Sequence, residues 1–446
     1  LASDFTLNSD IDISGELLID ATLNLNGKTF NVGKNVNVNS YLHVRNGRLN
    51  CKGDFYANYY SEIYMQNEKD ILNVEGTFTF SNLRYSCDFS NGTLIIGGNC
   101  NVNGGDFRAT AAHKTIFNGE QKQIINVTNT YASFGKIIFN NTSEDGIEVK
   151  NSFNYAELVN ESGCKVIFAN GGTVGETLSA DKVVDGDYIL AMGELDLNGH
   201  TLTINGDFIQ AGGEVKINSG KLVVNGNYRI QTKKATEDGK ESYDYSTGIL
   251  NMTNESDVVE VSGDFVMGST KSHDGKLSAG TLTVGGNFTQ LSYNARNNFV
   301  ASGSHKVIFT SEKNHAISFD SSRSGESHFA NLTFEDDSKI TLKNDSYKRV
   351  TVTGSLTGTG CEISGYIDLA GAAKVVNKYK GNIRISEGYT LNSDISISGN
   401  FSAESYLYLN GKQLSTDGNV TISSYIGIQS GTLNCKGNLV VNYYSG

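Results

Sequence analysis

The chain has 446 residues, a formal charge of −12, a pI near 5.1, and 50 Gly against 0 Pro and 0 Trp. That acidity excludes nucleic acid and an anionic membrane surface as partners, since both need clustered Lys and Arg. No apolar run approaches the roughly eighteen residues of a membrane-spanning helix, so direct membrane insertion is not expected either.

Ordinary usage of about 5% would give roughly twenty Pro in a chain of this size. Their absence leaves every backbone N–H able to join a ladder, while Gly and Asn serve corners. The chain starts at Leu1 with neither an initiator Met nor a secretion signal, as expected of a mature or excised piece.

Residues 4–60 contain Thr6-Leu7-Asn8-Ser9-Asp10, then Leu23-Asn24-Leu25-Asn26-Gly27-Lys28, then Leu49-Asn50-Cys51-Lys52-Gly53-Asp54-Phe55. Each alternating pair of apolar residues points to one face, and the Asn-Gly that follows can take positive φ and turn a corner. Further on, His113-Lys114-Thr115-Ile116-Phe117 marks the middle of a first long repeat of residues 5–175.

A second long repeat, residues 176–388, opens with Thr177-Leu178-Ser179-Ala180-Asp181. Inside it the coil pattern is clearest: Val215, Ile217, Gly220, Leu222, Val224 and Tyr228 follow about twenty residues after Leu195, Leu197, Gly199, Leu202, Ile204 and Phe208. A period near twenty made of short alternating strands is a solenoid signal, because one coil cannot bury its apolar face alone. Residues 231–246 break the period with a charged stretch and are expected to form a loop leaving the stack; Ser269 to Lys276 and Asp320 to Ser327 are lesser interruptions of the same kind. His305-Lys306-Val307-Ile308-Phe309 repeats the His-Lys mark, and residues 389–446 repeat the N-terminal sequence in part, from Thr390-Leu391-Asn392-Ser393-Asp394 to Asn442-Tyr443-Tyr444-Ser445.

The expected fold is therefore all-β: a single continuous right-handed parallel β-helix (β-solenoid) over residues 1–446, in coils of about twenty residues. Right-handedness follows from the preference of parallel crossovers and from a coil longer than the eighteen residues of left-handed hexapeptide helices. Of the six Cys, Cys51 and Cys435 fall in the inward slot that Val224 fills and are expected to act as small core hydrophobes.

The pattern Leu-x-Leu-Asn-Gly-x-x-Leu-x-Val-x-Gly-Asn/Asp-Phe, joined to His-Lys-x-Ile-Phe, resembles the repetitive β-solenoid regions of large bacterial surface proteins. Those are the stalks of filamentous-haemagglutinin-like adhesins and autotransporters, within the pectin-lyase-like β-helix group. The resemblance covers essentially the whole chain and implies a non-enzymatic structural or adhesive segment, extracellular or on a cell surface, acting as a stalk or presentation surface. Its implied partner is a ligand on a host or neighbouring cell, including carbohydrate. Alternatives are an extracellular fibre or sheath subunit that self-associates through its solenoid ends, and a carbohydrate-active β-helix enzyme.

No catalytic constellation and no cofactor motif is legible. Asp181, Asp185 and Asp187 crowd the start of the second long repeat and are candidate cation ligands, although surface carboxylates beside Lys182 account for them as well. Tyr59-Tyr60, recurring as Tyr443-Tyr444, is a candidate sugar contact: in a strand each pair would aim one ring in and one out. His200 stands where other copies carry Lys28 and Lys412 and is expected at a solvated corner; His113 and His305 are expected at the surface or a corner.

Overall fold

A computed structural model describes residues 1–446 except 82–86, 105–106, 130, 152, 170, 235–240, 293–295, 312, 321–325, 344–347 and 443–446. The described chain is all strand and turn, without a helix, and its strands stack in parallel as a β-solenoid of the right-handed type with coils of about 21 residues. The chain divides into two compact units: residues 1–174 with Ala191–Gly193, and residues 175–190 with 194–446. The division falls beside the start of the second long repeat.

In unit 1 the first coil contributes strands Phe5–Thr6, Ile11–Ile13 and Leu17–Ile19, and each starts a separate parallel sheet. The sheets grow one strand per coil, in register. Leu49 pairs with Leu72 and then Leu94, while Phe55 pairs with Phe78 and then Cys100. Like residues thus stack into columns; the Phe55 and Phe78 rings lie 5.5 Å apart, nearly parallel. Unit 2 does the same: Leu202, Leu222, Val259, Leu282 and Val307 form one inward column, and Phe208, Tyr228, Phe265 and Phe288 another. These side chains are fully buried. At roughly 1.5–3 kcal/mol for each such side chain removed from water, the columns are the main stabilising term.

The corners follow the sequence expectation. Asn26-Gly27, Asn198-Gly199 and Asn410-Gly411 all take positive φ, between 46° and 80°. Cys51 is fully buried in its column, and Cys435 is partly buried against the core; all six cysteines are free thiols.

The Gly-Asn/Asp part of the motif has a purpose that periodicity does not reveal. The Asp187 Oδ1 accepts the Asp207 N–H at 2.8 Å, Asp207 accepts Asn227 at 2.7 Å, Asn227 accepts Asp264 at 2.8 Å, and Asp264 accepts Asn287 at 2.8 Å. Each side chain satisfies the same backbone donor one coil further on. The preceding Gly is required by this closeness: a Cβ at Gly226 would stand 2.3 Å from the Asp207 Oδ1. Unit 1 repeats the device, with Asn35 accepting Asp54 at 2.9 Å and Asp54 accepting Thr77 at 2.7 Å.

Two interruptions differ from expectation. Residues 231–246 are not a plain loop: Tyr228–Lys234 runs on past its sheet and pairs antiparallel with Ser242–Tyr245 as a hairpin, fastened by Lys234–Asp244 at 2.7 Å and by Arg229 over the Tyr243 ring at 4.9 Å. The charged stretch reads as a solvated insertion, yet among its described residues Lys233 pairs with Glu241 and Lys234 with Asp244, while 235–240 lie outside the described residues. In Ser269–Lys276, Ser269 and His273 are fully buried; the Ser269 hydroxyl donates to the Gly248 carbonyl at 2.6 Å, so this segment is part of the packed stack. Most of the third interruption, 321–325, lies outside the described residues.

Candidate functional site

The three aspartates singled out above do not converge. Asp181 accepts the Thr201 N–H at 2.8 Å, Asp185 accepts the Asn205 side-chain amide at 2.9 Å, and Asp187 opens the ladder to Asp207. Each carboxylate is committed to a different backbone or amide donor of the next coil. Among the described residues, no group of three or more His, Cys, Asp and Glu is placed to hold a metal ion. His200 is partly exposed at its corner, with its Nδ1 3.7 Å from Asp181.

Tyr59 and Tyr60 are not in a strand. They follow Phe55–Ala57 in a turn, so alternation does not apply, and both rings face solvent, edge to face at 4.7 Å. Tyr443 and Tyr444 lie outside the described residues.

A second exposed aromatic group was missed. Tyr406 and Tyr408 flank the buried Leu407 and so share the outer face, where Tyr408 stands 5.7 Å from both Tyr406 and Tyr425. Gly388 and Gly427 make room for these rings, since a Cβ there would meet Tyr406 at 1.8 Å and Tyr408 at 2.5 Å. The signal was present in Tyr-Leu-Tyr-Leu-Asn, whose alternation puts both tyrosines outside once the leucines are inside.

Unit 1 carries a groove of about 980 Å³ on an outer sheet face. Its floor is an amide column: the Asn31 amide donates to Asp12 at 2.5 Å, Asn50 to Asn31 at 2.7 Å, and Asn73 to Asn50 at 3.4 Å, with Arg48 Nε donating to Asn50 at 2.7 Å. Lys52 and Glu75 stand at its side. Mixed charge and a row of amides suit an uncharged polyhydroxylated chain better than a polyanion.

Unit 2 holds an ion pair between the buried Asp368 and the partly buried Arg384. The Arg384 guanidinium clasps Asp368 through Nε at 2.9 Å and Nη2 at 2.7 Å, the Ser386 hydroxyl donates to the same carboxylate, and Glu404 stands 3.9 Å from Arg384. Asp368 and Arg384 are register partners on adjacent coils, so the pair ties strand to strand.

His113 and His305 are buried, contrary to their expected place. Both begin the inward-facing set of their coil, packed edge-on against Phe89 at 5.4 Å and Phe299 at 6.0 Å respectively. Lys114 and Lys306 take the outward slots that the histidines were expected to share. Burial pushes both imidazoles, and that of His273, down to about 4. His113 Nδ1 lies 2.7 Å from the Asn91 carbonyl, whereas among the described residues neither nitrogen of His305 has a partner.

Compared with known proteins, the chain matches no family model, no curated protein and no solved structure.

Proposed function

We propose that this chain is a non-enzymatic scaffold, a stalk or presentation surface of a secreted or cell-surface bacterial protein. One observation carries the reading: the polar side chains that sequence offers as chemistry are spent on joining coil to coil. Asp181, Asp185 and Asp187 each serve the next coil, and Asp207, Asn227 and Asp264 extend the third of these into a ladder. A catalytic site needs polar groups converging on one reacting atom, whereas a ladder distributes them at the strand spacing. The likeness of the coil motif to repetitive adhesin stalks supports the same reading. The ligands it would present to are surface carbohydrates, met by the amide groove around Asn31 and Asn50 and by exposed rings such as Tyr59, Tyr60 and Tyr406.

The test pairs turnover with binding. The chain is incubated with a panel of neutral and acidic polysaccharides while new reducing ends and unsaturated products are followed, and the same panel is screened for retention. Retention without product is the expected result. Product formation that is lost on substituting residues of the groove would overturn the scaffold reading in favour of a carbohydrate-active β-helix.

A further inference from the structure

Three coils of this chain share a corner that two of them close in the same way. Arg45-Asn46, Asn218-Ser219 and Gln429-Ser430 each place two successive non-glycine residues at positive φ, from 45° to 65°. Such a turn turns its N–H groups outward together and makes a small anion-accepting concavity. In the first two coils a buried carboxylate from the following coil fills it. Asp70 accepts the Asn46 N–H at 2.5 Å, and Asp257 accepts the Ser219 N–H at 2.6 Å. The other oxygen of each carboxylate closes its own turn: Asp70 accepts Gln66 and Asn67 at 2.8 and 3.0 Å, Asp257 accepts Thr253 and Asn254 at 2.8 and 3.0 Å. Both carboxylates are fully buried.

The coils that deliver these carboxylates are sequence relatives. Met65-Gln66-Asn67-Glu68-Lys69-Asp70 and Met252-Thr253-Asn254-Glu255-Ser256-Asp257 share Met-x-Asn-Glu-x-Asp, and the methionine of each is fully buried. Each covers its predecessor strand for strand: Ile71–Val74 on Arg48–Cys51, and Val258–Val261 on Lys221–Val224.

The third corner has the same predecessor without the cover. Tyr425 to Val441 repeats Tyr41 to Ala57, including Leu-Asn-Cys-Lys-Gly. Yet Ile428 is 43%, Leu439 54% and Val441 56% exposed, where Val44, Phe55 and Ala57 are buried. Among the described residues no carboxylate reaches Ser430.

We propose that the face of Ile428, Leu433, Leu439 and Val441, with the Gln429–Ser430 turn at its corner, is an acceptor for a further parallel coil of the Met-x-Asn-Glu-x-Asp type, whose aspartate takes the Ser430 N–H. The acceptor role is separate from presentation, and catalytic activity elsewhere in the chain would leave it intact.

The test extends the chain from Ser445, in place of Gly446, with the sequence of residues 62–104, which follows the matching Ser61, and reads residue-resolved hydrogen exchange. Ser430 and Leu439–Val441 amides should slow at least tenfold, on the order of the protection that strand pairing gives. Replacing the aspartate of the added coil by Ala should release the Ser430 amide while Leu439–Val441 stay slow. Unchanged exchange at Leu439–Val441 in an extended chain whose other strands keep their protection would overturn the acceptor face. Slow exchange at Ser430 without the carboxylate would overturn the aspartate's role. In the unextended chain, Asp70→Ala and Asp257→Ala should speed exchange at Asn46 and Ser219 respectively; failure of both would contradict the clasp on which the proposal rests.

Discussion

The coil around His113 in unit 1 and the coil around His305 in unit 2 carry the same His-Lys-x-Ile-Phe segment and bury the imidazole completely, yet they satisfy it differently. His113 keeps one bond, to the Asn91 carbonyl, and sits among Phe89 and Phe107; His305 keeps none among the described residues and rests on Phe299. The same short motif therefore fixes which way a side chain points, because that follows from strand alternation. Its hydrogen bonding depends on the neighbouring coil, which the motif does not specify.

The largest effect on this comparison should come from the rings. Phe107→Ala and Phe299→Ala each remove a fully buried aromatic side chain from the set packed near the histidine. Each should cost about 3–5 kcal/mol, read as the free energy of local opening by hydrogen exchange. A loss below about 1 kcal/mol at either site would show that the aromatic columns are loosely packed.

Acid comes next. A histidine whose folded pKa is about 4 must be neutral in the fold, while the unfolded chain takes up its proton near 6.5. Below 6.5 the unfolded state binds more protons, so stability is full above that pH and falls as the pH drops toward 4. The loss should approach about 3 kcal/mol for each buried ring. Exchange measured at pH 7 and at pH 5 should show both coils opening more readily in acid. His305→Phe should flatten that pH dependence in its own coil at little cost at neutral pH, since no bond is lost. His113→Phe should also flatten it but cost about 1 kcal/mol at pH 7, because the Asn91 carbonyl loses its partner. Equal costs at the two sites would erase the distinction drawn between them.

The smallest effect belongs to the ladder. Asp207→Ala leaves the Asn227 N–H without its acceptor and should cost about 1 kcal/mol, whereas Asp207→Asn keeps an acceptor oxygen and should be nearly neutral. Gly226→Ala, which forces a Cβ against the Asp207 side chain, should cost more than Asp207→Ala.

Much of the fold was legible because a solenoid repeats its instructions. Leu202 and Ile204 with Leu222 and Val224 give the alternation, Asn198-Gly199 gives the corner, and their recurrence gives the stack. The outward or inward place of Cys51 followed from the same alternation. The histidines were misplaced because burial against phenylalanines from other coils leaves no mark within the local sequence. Tyr59 and Tyr60 were misplaced because alternation was applied to a turn. The carboxylate clasps at Asp70 and Asp257 were illegible for a different reason: each joins residues 24 or 38 positions apart, a spacing set by how long the intervening coil happens to be.

The central claim is that the polar residues of the Gly-Asn/Asp motif are structural rungs. Hydrogen exchange across the full chain at neutral pH tests it most directly, through the amides of Asp207, Asn227, Asp264 and Asn287. The account predicts that these corner amides exchange as slowly as those of the adjoining strands, and that Asp207→Ala frees the Asn227 amide alone. Exchange of all four at the rate of an unprotected chain would contradict it, and would return these side chains to the pool of groups available for binding or chemistry.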